Sequence, residues 1–468
     1  MKNISSILPF ITVSAALALF ADTENLADKT SPHAVADSIK VETSLDGTIS
    51  ITGEVADQND QRWIEKKTVK IENPVWWTPE TPRLYATDFF GESVKFGIRT
   101  VAWNATDGFL LNGKSILLHG ACVTAGNEPL DKAAGSGVEL RKVRLLKKAG
   151  FNAVRVNCAA ASEAFLDACD AEGLLVMDDV STARHGKPHP SAVVCGLDTG
   201  DIAECAYTAN AADEIHSASP GRLVVYTGTA SKDAVEVWKR AEELPYVIGE
   251  FVKTGIDHPG EPYGDIDFAG HRKPISHLRE TLWNANAPTY VCAREPDGRK
   301  DQADTAKCGT LPTLEHWNFD DWEGTNITVY VYTRRPKVNL YINGEIVDTQ
   351  NVSAATAYTA SFEVPYEKGE IKAVAFGDGQ YETAYLRTAG TPAHIIFAHE
   401  VFGGLEYVTA EIVDDEGIVC PYANVNISFG GDPLATCSGD LDDAVPATSN
   451  VRKAFGGRAL AIYPHNEK

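Results

Sequence analysis

The stretch Val138-Glu-Leu-Arg-Lys-Val-Arg-Leu-Leu-Lys-Lys-Ala-Gly-Phe-Asn-Ala-Val-Arg-Val156, continued by Ser162-Glu-Ala-Phe-Leu-Asp-Ala-Cys-Asp-Ala-Glu-Gly-Leu-Leu-Val-Met-Asp-Asp179, decides the fold. Leu140, Val143, Leu146 and Ala149 recur at helical spacing, with Lys and Arg between them. Gly150 stands where a helix end wants a left-handed residue. Phe151–Val156 then reads as a strand. Ser162 caps a second helix that carries Phe165, Leu166 and Cys169 and stops at Gly173. Leu174–Met177 is a wholly apolar strand ending on Asp178 and Asp179. Alternation of this kind builds a parallel sheet with right-handed crossovers. Acids at the C-terminal ends of its strands fall where barrel enzymes keep their chemistry.

Working outward, Ser115–Gly120 reads as a strand before this unit. Ser191–Leu197, Leu223–Tyr226 and Tyr246–Val252 read as strands after it. Residues 104–285 are thus a shortened TIM-type (β/α) barrel. Roughly 180 residues are available, against about 250 for eight strand–helix units. The flanks alternate with period two and turn at Asp46-Gly47, Asn343-Gly344 and Asp378-Gly379. The expected organisation is multidomain: an incomplete barrel flanked by immunoglobulin-like β-sandwiches at 34–103, 310–390 and 391–468.

The chain has 468 residues and a formal charge of −23. Phosphate-binding partners need basic surface, so nucleic acid and anionic membranes are excluded as expected partners. Lys2, the apolar run Ile7–Phe20 and the small residues Ala16-Leu-Ala18 and Ala21 read as a signal peptide over 1–21. The alternative, a membrane anchor, is disfavoured by the shortness of the run. The expected location is secreted or periplasmic. Nine cysteines include no C-x-x-C pair, so no metal and no cofactor is expected. Cys292 with Cys308, and Cys420 with Cys437, are candidate local disulfides.

Five stretches carry a family resemblance. Trp76-Trp-Thr-Pro-Glu-Thr-Pro-Arg-Leu-Tyr85 is similar to L-W-S-P-E-x-P-x-L-Y, and Phe96–Thr100 followed by Phe109–Lys114 to F-G-F-R-T…F-x-L-N-G-K. Leu145–Arg155 is similar to L-L-K-x-M-G-F-N-A-V-R, and Gly249–Pro262 to G-x-F-x-W-T-G-F-D-Y-x-G-E-P. Phe319–Gly344 resembles the start of an additional sandwich. The chain therefore resembles glycoside hydrolase family 2, in its β-galactosidase-like branch, from about residue 70 onward; the family's N-terminal jelly roll is expected to be missing.

That resemblance implies a retaining β-glycosidase acting on a carbohydrate partner. Its two carboxyl groups stand about 5–5.5 Å apart, one as nucleophile and one as acid/base. The pocket positions depart from the family pattern. Thr124-Ala-Gly126 stands at the family's H-H-D-like run, and Asn157-Cys-Ala-Ala160 at S-H-N-P. The fourth strand should end in N-E; here Leu197–Ile202 replaces it, and Asp201 is the nearest carboxylate. The segment of the seventh strand, which bears the nucleophile, is not recognisable. Lys253 replaces the Trp of W-T-G.

Asp201 and Glu250 are the catalytic candidates, as acid and nucleophile. For Glu250 the competing expectation is a structural carboxylate paired to Lys253 or Arg155; for Asp201 it is a charge at the N-terminus of the following helix. Asp178, Asp179, Asp257 and Glu261 are substrate-binding candidates. Trp238, Trp283 and Trp317 are candidates to stack on sugar rings, burial being the commoner fate of Trp. Loss of a nucleophile has no substitute in a covalent mechanism. An inactive or glycan-binding relative is accordingly the alternative to a hydrolase.

Overall fold

A computed structural model describes residues 35–56, 61–124, 129–130, 135–156, 161–178, 192–193, 202–208, 210–296 and 312–465. The signal-peptide stretch, Asp179, Asp201 and Cys308 lie outside the described residues.

Seven strands form one parallel sheet: β1 (Leu118–Val123), β2 (Ala153–Val156), β3 (Leu175–Asp178), β4 (Ala192–Val193), β5 (Ile202–Cys205), β6 (Leu223–Thr229) and β7 (Val247–Val252), in the order 4-3-2-1-7-6-5. The first strand pairs with the last, as in a barrel, and β4 and β5 are the two edges. Sequence periodicity predicts six of these strands. The additional one, β5, is only four residues long, too short for its Ile-Ala-Glu-Cys to stand out by periodicity.

Helices α1 (Ser136–Lys148), α2 (Glu163–Glu172), α3 (Ala211–Ala218), α4 (Ala234–Glu243) and α5 (Pro274–Trp283) follow the strands. The capping is as the residues dictate: Ser162 Oγ accepts from the Phe165 amide at 3.1 Å, and Gly173 ends α2 at φ 81°. Gly173 admits no side chain, since a Cβ would stand 2.3 Å from the Pro79 carbonyl oxygen.

Two apolar layers hold the sheet. The outer layer packs Val143, Leu146, Phe165 and Leu166 of α1 and α2 on Val154, Val176 and Val252. The inner layer collects Leu118, Leu175, Met177, Ile202, Leu223, Val225, Ile248 and Phe251, floored by Phe109 and Leu111 of an antiparallel ribbon. A flat sheet would hold β2 and β5 well out of side-chain reach. Direct contact of Arg155 on β2 with Glu204 on β5, four strand spacings along the same sheet, shows that the sheet curls into an incomplete barrel.

The flanking modules are β-sandwiches. Strands Val35–Thr43, Thr48–Ala56 and Arg62–Lys70 share a core with the hairpin Tyr85–Phe96. The second sandwich packs two four-stranded sheets around Trp317, Leu340 and Phe362, and draws in Tyr290–Arg294, ahead of residue 310. Its Asn343-Gly344 turn has φ 50° and 90°, as a tight hairpin requires. In the last module Cys420 and Cys437 lie in separate apolar clusters and form no disulfide, and neither does Cys292. The proposed Cys420–Cys437 bridge is therefore corrected; Cys292 instead donates to the Tyr332 hydroxyl at 3.4 Å. No helix among the described residues is long and apolar enough to cross a membrane.

One polar clasp ties three modules together. Glu315 of the second sandwich takes His271 Nε2 at 2.7 Å and Arg458 Nη1 at 2.6 Å, and Arg458 Nε reaches Glu411 at 2.7 Å. Burial alone would raise the Glu315 carboxyl, but His271 and Arg458 outweigh it and hold it at about 2. Burial pulls His271 down, and Glu315 more than offsets this, raising it above 6.5. The Glu315 contribution is full above pH 4.5 and fades as the pH falls toward 2. The His271 contribution is full below pH 6.5 and fades as the pH rises through its raised value. Thermal unfolding followed against pH is thus expected to show a stability excess between about pH 4.5 and 6.5, flattened in Glu315→Gln. A variant profile parallel to that of wild type would refute the clasp.

Candidate functional site in the barrel mouth

The mouth is formed by the C-terminal ends of the parallel strands. Arg155 near the end of β2 and Glu204 near the end of β5 meet across it, with Nε–Oε1 at 3.0 Å and Nη2–Oε2 at 2.8 Å. The pair is bidentate and mostly shielded, with side-chain exposures of 14% and 13%. β2 and β5 are four places apart in the sheet order, so only the curl brings these groups together. Glu204 has the same parity as lumen-facing Ile202, and Arg155 the same parity as Ala153. Sequence reasoning missed Glu204 because it missed β5.

β6 lies directly against β7 and reads Leu-Val-Val-Tyr-Thr-Gly-Thr, without a carboxylate. The stretch Gly249–Pro262 resembles the family's eighth strand, and β6 is the strand paired beside it on the side of the earlier strands.

Glu250 turns away from the lumen. Ile248 and Phe251 belong to the inner layer, Val247 and Val252 to the outer clusters. Between them the register with β6 slips at Gly249, whose φ is 129°. A Cβ there would stand 2.1 Å from the Leu118 carbonyl oxygen. The bulge moves Glu250 to the outer face, beneath α5. There Arg279 Nη1 donates to Oε1 at 2.6 Å and Thr229 Oγ1 donates to Oε2. Arg279 Nε lies 3.1 Å from Asp265 Oδ2. All three charged groups are almost fully buried. Burial pulls the guanidinium down, but Glu250 and Asp265 outweigh it and raise its pKa. Burial raises Asp265 against the pull of Arg279. Glu250 thus pairs with neither Lys253 nor Arg155. Lys253 lies over the Tyr263 ring, 3.4 Å from its centroid.

The other candidates are dispersed. Asp178 ends β3 opposite Val156. Asp257 is 3% exposed, bound to Lys273 at 2.6 Å and to the Gly264 amide at 2.7 Å. Burial pushes its carboxyl up to about 6, against Lys273. Glu261 pairs with His258 at 3.2 Å in the same loop after β7. Trp317 and Trp238 are core residues, and Trp283 stacks on His119, so none presents a free sugar platform. Among the described residues no cluster of three metal-ligating side chains occurs.

Comparison with known proteins accords with this architecture. Residues 104–218 match the model for the glycosyl hydrolases family 2 TIM barrel domain, and residues 324–381 match a domain of unknown function, DUF4982. A family 2 member from Bacteroides cellulosilyticus superimposes with a TM-score of 0.79 at 25% identity, over 92% of this chain and 75% of that one. A putative β-glucuronidase from Formosa agariphila is 21% identical over 84% of this chain and 50% of its own length. A β-galactosidase from Bacteroides ovatus is 23% identical over 50% of this chain and 27% of its own. The chain spans about half the length, or less, of these curated relatives. A barrel with sandwich modules is the architecture of a carbohydrate-active enzyme family. This chain is similar to glycoside hydrolase family 2 in its barrel segment, residues 104–218, and in its architecture.

Removing Arg279 would strand two buried carboxylates. Arg279→Met is expected to cost about 3–5 kcal/mol, read as a lowered urea midpoint. Glu250→Gln, which keeps an acceptor for Arg279, is expected to cost less. Equal small losses in both variants would contradict the buried triad.

Proposed function

We propose that this chain recognises β-linked carbohydrate at its barrel mouth without hydrolysing it. The observation that carries the reading is β6, the strand beside β7, which offers no carboxylate where the family resemblance places the nucleophile. A retaining cleavage needs two carboxyl groups flanking the bond. The described mouth supplies Glu204, locked on Arg155, while Glu250 is committed to Arg279 behind the sheet. Arg155 and Glu204 still present donors and acceptors suited to sugar hydroxyls. The relatives named β-galactosidase and β-glucuronidase support galacto- or glucurono-configured ligands.

Chromogenic β-galactosides and β-glucuronides are expected to show no turnover above blank, while calorimetry detects binding of the matching methyl glycosides. Turnover abolished by Glu204→Gln would overturn the reading in favour of a hydrolase. We also propose that the protein works outside the cytoplasm, on the strength of the apolar run Ile7–Phe20. N-terminal sequencing of the native protein is expected to begin after Ala18 or Ala21; a start at Met1 would refute this.

A further inference from the structure

The outer face of one sheet of the second sandwich carries an aromatic and cationic row that the core does not use. Its strands run in the order Glu345–Asn351, Lys337–Ile342, Glu370–Gly377 and Gln380–Arg387. Val338, Leu340, Ile342, Ile371, Ala373, Ala375 and Leu386 point inward. The alternate positions point out. Among them Tyr341, Lys372 and Tyr385 lie side by side on three neighbouring strands, Lys372 in register with both tyrosines. The Lys372 ammonium stands 5.7 Å from the Tyr341 centroid and 6.0 Å from that of Tyr385. No ion pair to Lys372 occurs among the described residues, although it is half-buried in a chain of charge −23. Arg387 lies over the far side of this row, 5.1 Å from the Tyr385 centroid. Tyr385 is 45% exposed and Tyr381, on the same strand and face, is 77% exposed.

We propose that this face is a second glycan site, selective for β-linked chains that bear uronate carboxylates. The inference rests on the glycan-recognition reading and extends it to a surface outside the barrel. Its chemistry is complementary in two ways. Tyrosine rings offer flat apolar faces to the C–H faces of pyranoses while keeping a hydroxyl in water. Lys372, with its charge uncompensated between two rings, offers a carboxylate a charge-assisted hydrogen bond. Lys337 and Arg387 add positive charge to the outward positions of the three strands Lys337–Ile342, Glu370–Gly377 and Gln380–Arg387. Glu370, bonded to Arg387 at 2.8 Å, is the single acid among those positions. A neutral sugar would gain from the rings alone.

The test is calorimetric titration of the full chain with a hyaluronan decasaccharide, whose alternate units are glucuronate, and with a neutral β-galacto-oligosaccharide of equal length. Binding of the first is expected to weaken at least tenfold in Lys372→Met and several-fold in Tyr385→Ala, to survive in Lys372→Arg, and to fall with added salt. Glu204→Gln, in the barrel mouth, is expected to remove at most a separate binding component, and the control Lys95→Met, on an exposed position of the first sandwich, to leave the titration unchanged. Thermal unfolding of each variant separates misfolding from lost contacts. If the row served only as cross-strand packing, Tm would shift and affinity would not. Affinity lost only in the Glu204 variant would overturn this site while leaving the barrel reading intact. Equal binding of the neutral oligosaccharide would overturn the uronate preference, and no binding of hyaluronan by wild type would overturn the site.

Discussion

The pairing of β1 with β7 is the constraint on which the rest of the barrel depends. It joins the first parallel strand to the last, as in a barrel, and the Arg155–Glu204 contact shows the curl of the sheet on either side of it. The two backbones meet at a point where side chains cannot fit. A Cβ at Gly120 would stand 2.2 Å from the Phe251 ring, and one at Gly249 would stand against the Leu118 backbone. Close approach at these two glycines sets the bulge, and the bulge decides which way β7 presents its residues. Phe251 fills the lumen, and Glu250 goes to the helix side. Geometry chosen for closure has thereby removed an acid from the cavity.

The residues that carry the family resemblance are largely those that hold this scaffold. Asn112 accepts from the Thr100 amide at 2.9 Å and donates to the Trp77 carbonyl at 3.1 Å, so two of the five resembling stretches meet at one side chain. Trp77 is fully buried and donates to the Asp170 carbonyl on α2, which fixes the linker to the barrel wall. Asn152 accepts from the His119 amide and donates to the Leu117 carbonyl, both at 2.8 Å, setting the start of β2 against β1. Asn112 and Trp77 are buried and Asn152 is half-buried, and loss of any of them would leave backbone groups unsatisfied. Such positions resist change whether or not a substrate is turned over.

Fold was legible where one period governed a segment. The helical spacing over Leu140–Ala149 and the apolar run Leu174–Met177 gave the right elements, because long or continuous patterns leave little choice. The site was less legible, for two local reasons. In Ile202–Cys205 four residues carry too little alternation to declare a strand, and Glu204 went unseen with it. In Val247–Val252 strict alternation puts Glu250 on the same face as Ile248, a reading that fails because Gly249 slips the register by one. The signal was present in that glycine, but a bulge cannot be told from an ordinary strand glycine without the neighbouring backbone. The partner of Glu250 was equally hidden, since Arg279 lies on α5, 29 residues away.

The charges that remain in the barrel argue against a concealed hydrolytic centre among the described residues. A nucleophile and its acid partner must hold different protonation states, which requires environments that separate them. Here each of the two carboxylates is held by a guanidinium. Arg155 grips both oxygens of Glu204 and occupies the lone pairs that an attacking carboxylate would use. Arg279 and Thr229 take one oxygen each of Glu250 from behind the sheet, in a packed layer with His119 stacked on Trp283 and held neutral by burial, its pKa pushed down to about 4. Each carboxylate has been assigned a permanent cation. Interactions of that kind stabilise a ground state and fix the shape of the barrel mouth, and they work against covalent attack by either carboxylate.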